Sequence, residues 1–118
     1  MRKLPYDRAD RVASQIFEIV SRALINNIRD PRLKGVSATA VKVTKDLKVA
    51  RIYFFSAMEK PKDECLAGFR AASGYLKQAI ASELELRFIP TLEFFFDESI
   101  DYGEKIEKLL NKIRSSNT

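Results

Sequence analysis

Between Asp7 and Asn27, Val12, Ile16, Ile19, Val20, Ala23 and Leu24 recur at helical spacing. Advancing about 100° per residue sets them on one face, with Arg8, Arg11, Gln15 and Arg22 opposite. The pattern predicts an amphipathic helix with an arginine-bearing outer stripe. Asn27, then Asp30 held extended by Pro31, then Gly35 end it. The runs VSATAVKVT and KVARIYFFSA flank KDLK and predict a hairpin. Pairing Thr44 with Val49 sets Val43 opposite Ala50, Val41 opposite Ile52 and Thr39 opposite Phe54 as a core-facing set. The other face receives Ala40 opposite Tyr53 and Lys42 opposite Arg51. Two like charges across a ladder repel mildly, a conflict eased by splaying into water or by an anionic partner.

Beyond EKPKDE, helical spacing resumes from Asp63 to Leu84 with Ser73-Gly74 in its middle. RFIPTLEFFFDES then reads as a loop and a strand, with Leu92, Phe94 and Phe96 on one side and Glu93, Phe95 and Asp97 on the other. Asp97 or Ser99 is placed to cap a last helix whose stripe is Ile106, Leu109, Leu110 and Ile113, followed by a short frayed tail. This order predicts an α+β fold: a three-stranded sheet packed against helices on one face. One domain over residues 1–118 is expected, with its core at about 7–113.

Length and composition agree with that expectation. At 118 residues with 46% hydrophobic and 31% charged side chains, the chain can bury one core but not two comfortable ones. A charged N-terminus and the lack of a long apolar run speak against secretion or membrane insertion, and a single cysteine, Cys65, suits a reducing cytoplasm. Cys65 is expected as a half-buried helix residue.

The charge is lopsided. Residues 1–62 carry 14 Lys and Arg against 6 Asp and Glu, whereas residues 63–118 carry 7 against 10. A basic half is the footprint of a polyanion binder, or merely a solvated face. Catalysis is disfavoured: the chain has no histidine to act as a base near neutral pH or as a nitrogen ligand, and no phosphate-binding glycine loop. The acids Asp97, Glu98 and Asp101 read as complements to a helix dipole rather than a metal site. No cofactor and no small-molecule substrate are expected.

Ala72-Ser73-Gly74 poses the main question, because an interior glycine costs a helix about 1 kcal/mol relative to alanine. In one reading the helix continues and Gly74 admits a close-packed neighbour. In the other the chain kinks there and starts a new helix, whose free amides attract phosphate, with Lys77 one turn on adding charge.

The element order, with a small-residue break between two helices, resembles a type II KH domain, whose GXXG loop clamps nucleic-acid backbone. This chain has no GXXG. Ala72-Ser73-Gly74 instead resembles the Ala-x-Gly kink that replaces that loop in the bacterial ribosome-binding factor A family. RADRVASQI, DPRLKGV, VTKDLKVARIY, LRFIPTLEFFFDES and GEKIEKLL agree in collinear order from Arg8 to Ile113. The resemblance implies a non-enzymatic, cytoplasmic, KH-like assembly factor that binds the free 30S ribosomal subunit, supports 16S rRNA maturation and matters for growth in the cold. It also makes Ala72, Ser73 and Gly74 the counterpart of the GXXG loop.

The cations then become candidate RNA contacts: Arg8, Arg11 and Arg22 on the first helix, Arg29, Arg32 and Lys34 after it, Lys42, Lys45, Lys48 and Arg51 on the hairpin, and Lys77. Not all can share one surface. Tyr53 and Phe55 either stack on an unpaired base or pack against Phe95. A monomer is expected. A generic KH-like RNA binder, a protein-binding adaptor using the aromatic face and an RNA-processing enzyme are the competing readings.

Overall fold

A computed structural model of the chain describes residues 7–99. Helix α1 spans Arg8–Asn26. It begins where two acids cap each other's backbone: Asp7 accepts from the Asp10 N–H at 2.9 Å, and Asp10 accepts from the Asp7 N–H at 3.5 Å. Its buried side is Ala9, Val12, Ala13, Ile16, Ile19, Val20 and Ala23, the predicted stripe with Leu24 half-buried at its edge.

Strands β1 (Val36–Val43) and β2 (Val49–Ser56) form the antiparallel hairpin. Its turn is built by side chains. Asp46 accepts from the Thr44 hydroxyl at 2.7 Å and the Lys48 N–H at 3.0 Å, while Thr44 Oγ1 takes the Val49 N–H at 3.1 Å. Leu47 stands there at φ 62°, a left-handed conformation unfavourable for a branched side chain, and packs against the core.

The predicted register holds for Val43, Lys42, Val41 and Ala40 and then slips. Phe54 pairs with Ala38, not Thr39, because Thr39 is an extra residue in a bulge. The bulge gives the Thr39 hydroxyl a partner across the sheet, since it donates to Asp97 Oδ2 at 2.5 Å.

Helix α2 (Lys62–Glu83) carries the chain over to β3 (Thr91–Phe96), which lies parallel to β2 in the order β1-β2-β3. Parallel neighbours need such a crossover. Ala50, Ile52 and Phe54 face both helices, and Ile16, Val20, Phe69, Leu76 and Ile80 close over them with no exposed surface. Each such large apolar side chain contributes about 1.5–3 kcal/mol by leaving water. Phe69 stacks on Phe94 at 4.7 Å and lies 5.0 Å from Phe54, locking α2 to the strands beneath it. Cys65 is fully buried rather than half-buried, and burial pushes its thiol pKa up.

The resemblance implies a kink at Ala72-Ser73-Gly74 that divides this segment into two helices, but α2 is a single α-helix through it. No second helix N-terminus is created there. The last predicted helix, with Ile106, Leu109, Leu110 and Ile113, lies outside the described residues.

Candidate nucleic-acid interface

The buried side of α2, set by Cys65, Phe69, Leu76 and Ile80, fixes what its other side presents. Arg70, Ala71, Gly74, Tyr75, Lys77 and Gln78 are exposed, and Ala72 and Ser73 are half-buried at the border. Among the described residues, a Cβ added to Gly74 would meet nothing within 4 Å, which speaks against the reading of a close-packed neighbour at that glycine. The packing glycine is Gly68, one buried turn and a half earlier. A Cβ there would come within 2.8 Å of Leu33 Cγ and 3.2 Å of Arg32 Cβ. Gly68 is what lets the 3-10 turn Pro31–Leu33 seat against the helix.

Gly74 therefore leaves a low, bare strip of helix backbone. At helical spacing, Arg70 (four residues before) and Lys77 (three after) stand along the same flank of that strip. Neither has a carboxylate partner among the described residues. Small residues, exposed backbone and two unpaired cations on one rim can admit and hold a phosphate-bearing chain.

The other cations separate by what already holds them. Arg22 makes a bidentate pair with Glu83, 3.1 Å for each bond, tying α1 to the end of α2; this hydrogen bonding raises its pKa. Arg32 is gripped by Asp30 through Nε at 3.0 Å and a terminal nitrogen at 2.7 Å, and its N–H also donates to the same carboxylate. Those bonds lower the Asp30 pKa to about 2. Arg51 pairs with Glu93 on the neighbouring strand at 3.4 Å, and Lys42 lies 5.9 Å from the Tyr53 ring centroid. The like-charge conflict expected between Lys42 and Arg51 is thus eased within the sheet, without an outside anion. Among the described residues, Arg8, Arg11, Arg29, Lys34, Lys45 and Lys48 have no carboxylate partner.

A family model described as ribosome-binding factor A matches residues 8–110. A ribosome-binding factor A of Desulfatibacillum aliphaticivorans is 48% identical over 108 residues, spanning 90% of this chain and 87% of that one. That of Geobacter metallireducens is 40% identical over 93% of this chain and 94% of its own. The chain belongs to the ribosome-binding factor A family. The crystal structure of ribosome-binding factor A from Thermus thermophilus superposes with a TM-score of 0.70 at 22% identity, over 79% of this chain and 99% of that one. A homology model of the Thermus thermophilus ribosome-binding factor A, fitted into a cryo-EM map of its complex with 30S, gives a TM-score of 0.55 at 27% identity. It covers 73% of this chain and 96% of its own length.

Within this ribosome-binding factor A fold, the aromatic face is largely spoken for. Tyr53 stacks on Phe95 at 5.5 Å, and Phe55 is only 3% exposed, which closes it to a base. Sequence reasoning missed three residues. Arg70 is one, although its four-residue spacing from Gly74 was a usable signal. Arg87 and Phe88 are the others. Nothing in their local pattern tells that the loop before β3 sets them beside Arg8 and Lys48, around one cleft. Asp97 is bonded to Ser99 and Thr39, which lower its pKa, so its carboxylate is occupied in structure. Among the described residues no acidic, cysteine or histidine cluster is placed to hold a metal, and no helix is long and apolar enough to cross a membrane.

Proposed function

We propose that the chain is a non-enzymatic, cytoplasmic assembly factor that binds the free 30S ribosomal subunit as a monomer and supports 16S rRNA maturation, with most consequence in the cold. It needs no cofactor in this role. The observation that carries the reading is the bare strip at Gly74. Among the described residues the helix gains no packing contact for this interior glycine, on a surface rimmed by Arg70 and Lys77. In a ribosome-binding factor A family member, that strip with Ala72 and Ser73 serves as the RNA-backbone contact. The complex with 30S of the Thermus thermophilus relative supports the choice of subunit.

Phosphate contacts by Arg8, Arg11, Arg29, Lys34, Lys45, Lys48 and Lys77 supply the affinity, divided between separate patches. Arg22, Arg32, Lys42 and Arg51 add charge while keeping their internal partners. With about six phosphates engaged, affinity falls about a thousandfold between 50 and 200 mM salt. Sedimentation of the purified protein with 30S subunits, 50S subunits and 70S ribosomes tests the reading. Selective, salt-sensitive pelleting with 30S supports it. Equal pelleting with all three leaves a nonspecific basic RNA binder, and none at all refutes it.

A further inference from the structure

The loop between α2 and β3 holds an aromatic ring in an unusual place. Phe88 is 77% exposed, yet its neighbours are fixed: Leu86 and Ile89 pack against the core and Pro90 is fully buried. The Thr91 N–H donates to the Lys48 carbonyl at 2.8 Å, fastening the loop to the hairpin. The ring is therefore displayed on a rigid mount, not trailing from a slack one. It lines a cleft of about 440 Å³ shared with Arg8, Lys48 and Arg87, a size within the usual range for small-ligand sites. Among the described residues three cations face one acid there, Asp46, whose carboxylate is already bonded to the Thr44 hydroxyl and the Lys48 N–H. The Arg87 guanidinium stands 5.9 Å from the Phe88 ring centroid.

We propose that Phe88, with Arg8, Lys48 and Arg87, is a seat for one unpaired RNA nucleotide, the base stacking on Phe88 and its phosphates lying among the three cations. The ring gives a face that any base can use, and the cations select a ligand carrying negative charge beside that face. A base paired within a duplex has no free face to offer, so the ligand is single-stranded. This seat is distinct from the Gly74 strip, and it rests on the RNA-binding reading only for the class of ligand.

The test uses the full chain and a single-stranded RNA octamer carrying one 2-aminopurine, beside the same sugar-phosphate octamer with every base removed. The expected result is that the protein changes the 2-aminopurine fluorescence and that Phe88→Leu weakens binding of the intact octamer about tenfold, as loss of one stacked base does. The base-free octamer should bind both proteins equally. Arg87→Ala should weaken both octamers and lower the salt slope by about 1. Equal binding of the intact octamer by the protein and its Phe88→Leu variant overturns the seat, as does failure of the protein to bind it. If Phe88→Leu costs affinity for 30S but not for the octamer, the ring meets ribosomal protein and the seat is again overturned. Selective pelleting with 30S is scored separately: its absence refutes the assembly-factor reading and leaves the octamer result to judge the seat. Melting curves of Phe88→Leu should match the parent, the ring being exposed.

Discussion

Helix α2 contains two glycines six residues apart that lack a side chain for opposite reasons. At Gly68 the missing Cβ is filled by a neighbour, since Leu33 and Arg32 press into the space. At Gly74 no described residue enters the space. The first glycine trades helix propensity for tertiary contact, and the second gives up the same propensity with no contact in return. A residue whose cost no described neighbour recovers directs attention to a partner outside the fold.

That contrast is open to direct attack. The largest effect should come from Gly68→Ala. Overpacking against Leu33 outweighs the gain in helix propensity and leaves a net loss of about 2 kcal/mol, read as a melting temperature about 8 °C lower. Combined with Leu33→Ala, it should cost less than the sum of the two single changes, because the added methyl then occupies vacated room. Gly74→Ala should do the reverse, gaining about 1 kcal/mol and about 4 °C, while 30S pelleting weakens. A stabilised variant with undiminished 30S binding would dissolve the distinction between the two glycines. Smaller again, Lys77→Ala and Arg70→Ala should each lower the salt slope of binding by about 1, with stability unchanged within about 0.5 kcal/mol.

The smallest effect concerns the turn that fills Gly68. Hydrogen bonds from Arg32 hold Asp30 at about 2, below its ordinary value of 3.8. The contribution of this pair is complete above about pH 4 and fades as the pH falls toward 2, the folded state then losing the carboxylate it favours. The protection of the Arg32 amide, its exchange rate relative to that of a free chain at the same pH, should fall across that window and hold above it, since its N–H donates to Asp30. Asp30→Asn should abolish this pH dependence.

Periodicity was enough for α1, α2, the hairpin and the third strand, because burial on one face imposes a repeat that survives in the residues themselves. Val12 to Leu24 and Leu92 to Phe96 are examples. What periodicity does not carry is any contact between elements distant in the chain. Thr39 carries no local mark of a bulge, since its reason is Asp97, 58 residues away. The roles of the two glycines were unreadable for the same cause: Gly68 is defined by Leu33, and Gly74 by the lack of a counterpart among the described residues. The candidate interface was legible as a composition, a basic half with a small-residue interruption. The partition of its cations into those held by Glu83, Asp30 and Glu93 and those left over required the fold.

The third strand has a consequence for the chain's life in concentrated solution. Phe94, Phe95 and Phe96 run consecutively along β3, which stands at one end of the β1-β2-β3 order, and Phe95 is 40% exposed. A short, aromatic, β-prone run is the composition that self-associates into intermolecular sheets. Glu93 stands just before it and Asp97 and Glu98 close it, flanking charges of the gatekeeper kind. Because Ser99 and Thr39 lower the pKa of Asp97, this guard keeps its charge further into acid than a free aspartate would. The hydroxyl that bulges from β1 thereby helps keep a charge at the end of this aromatic strand.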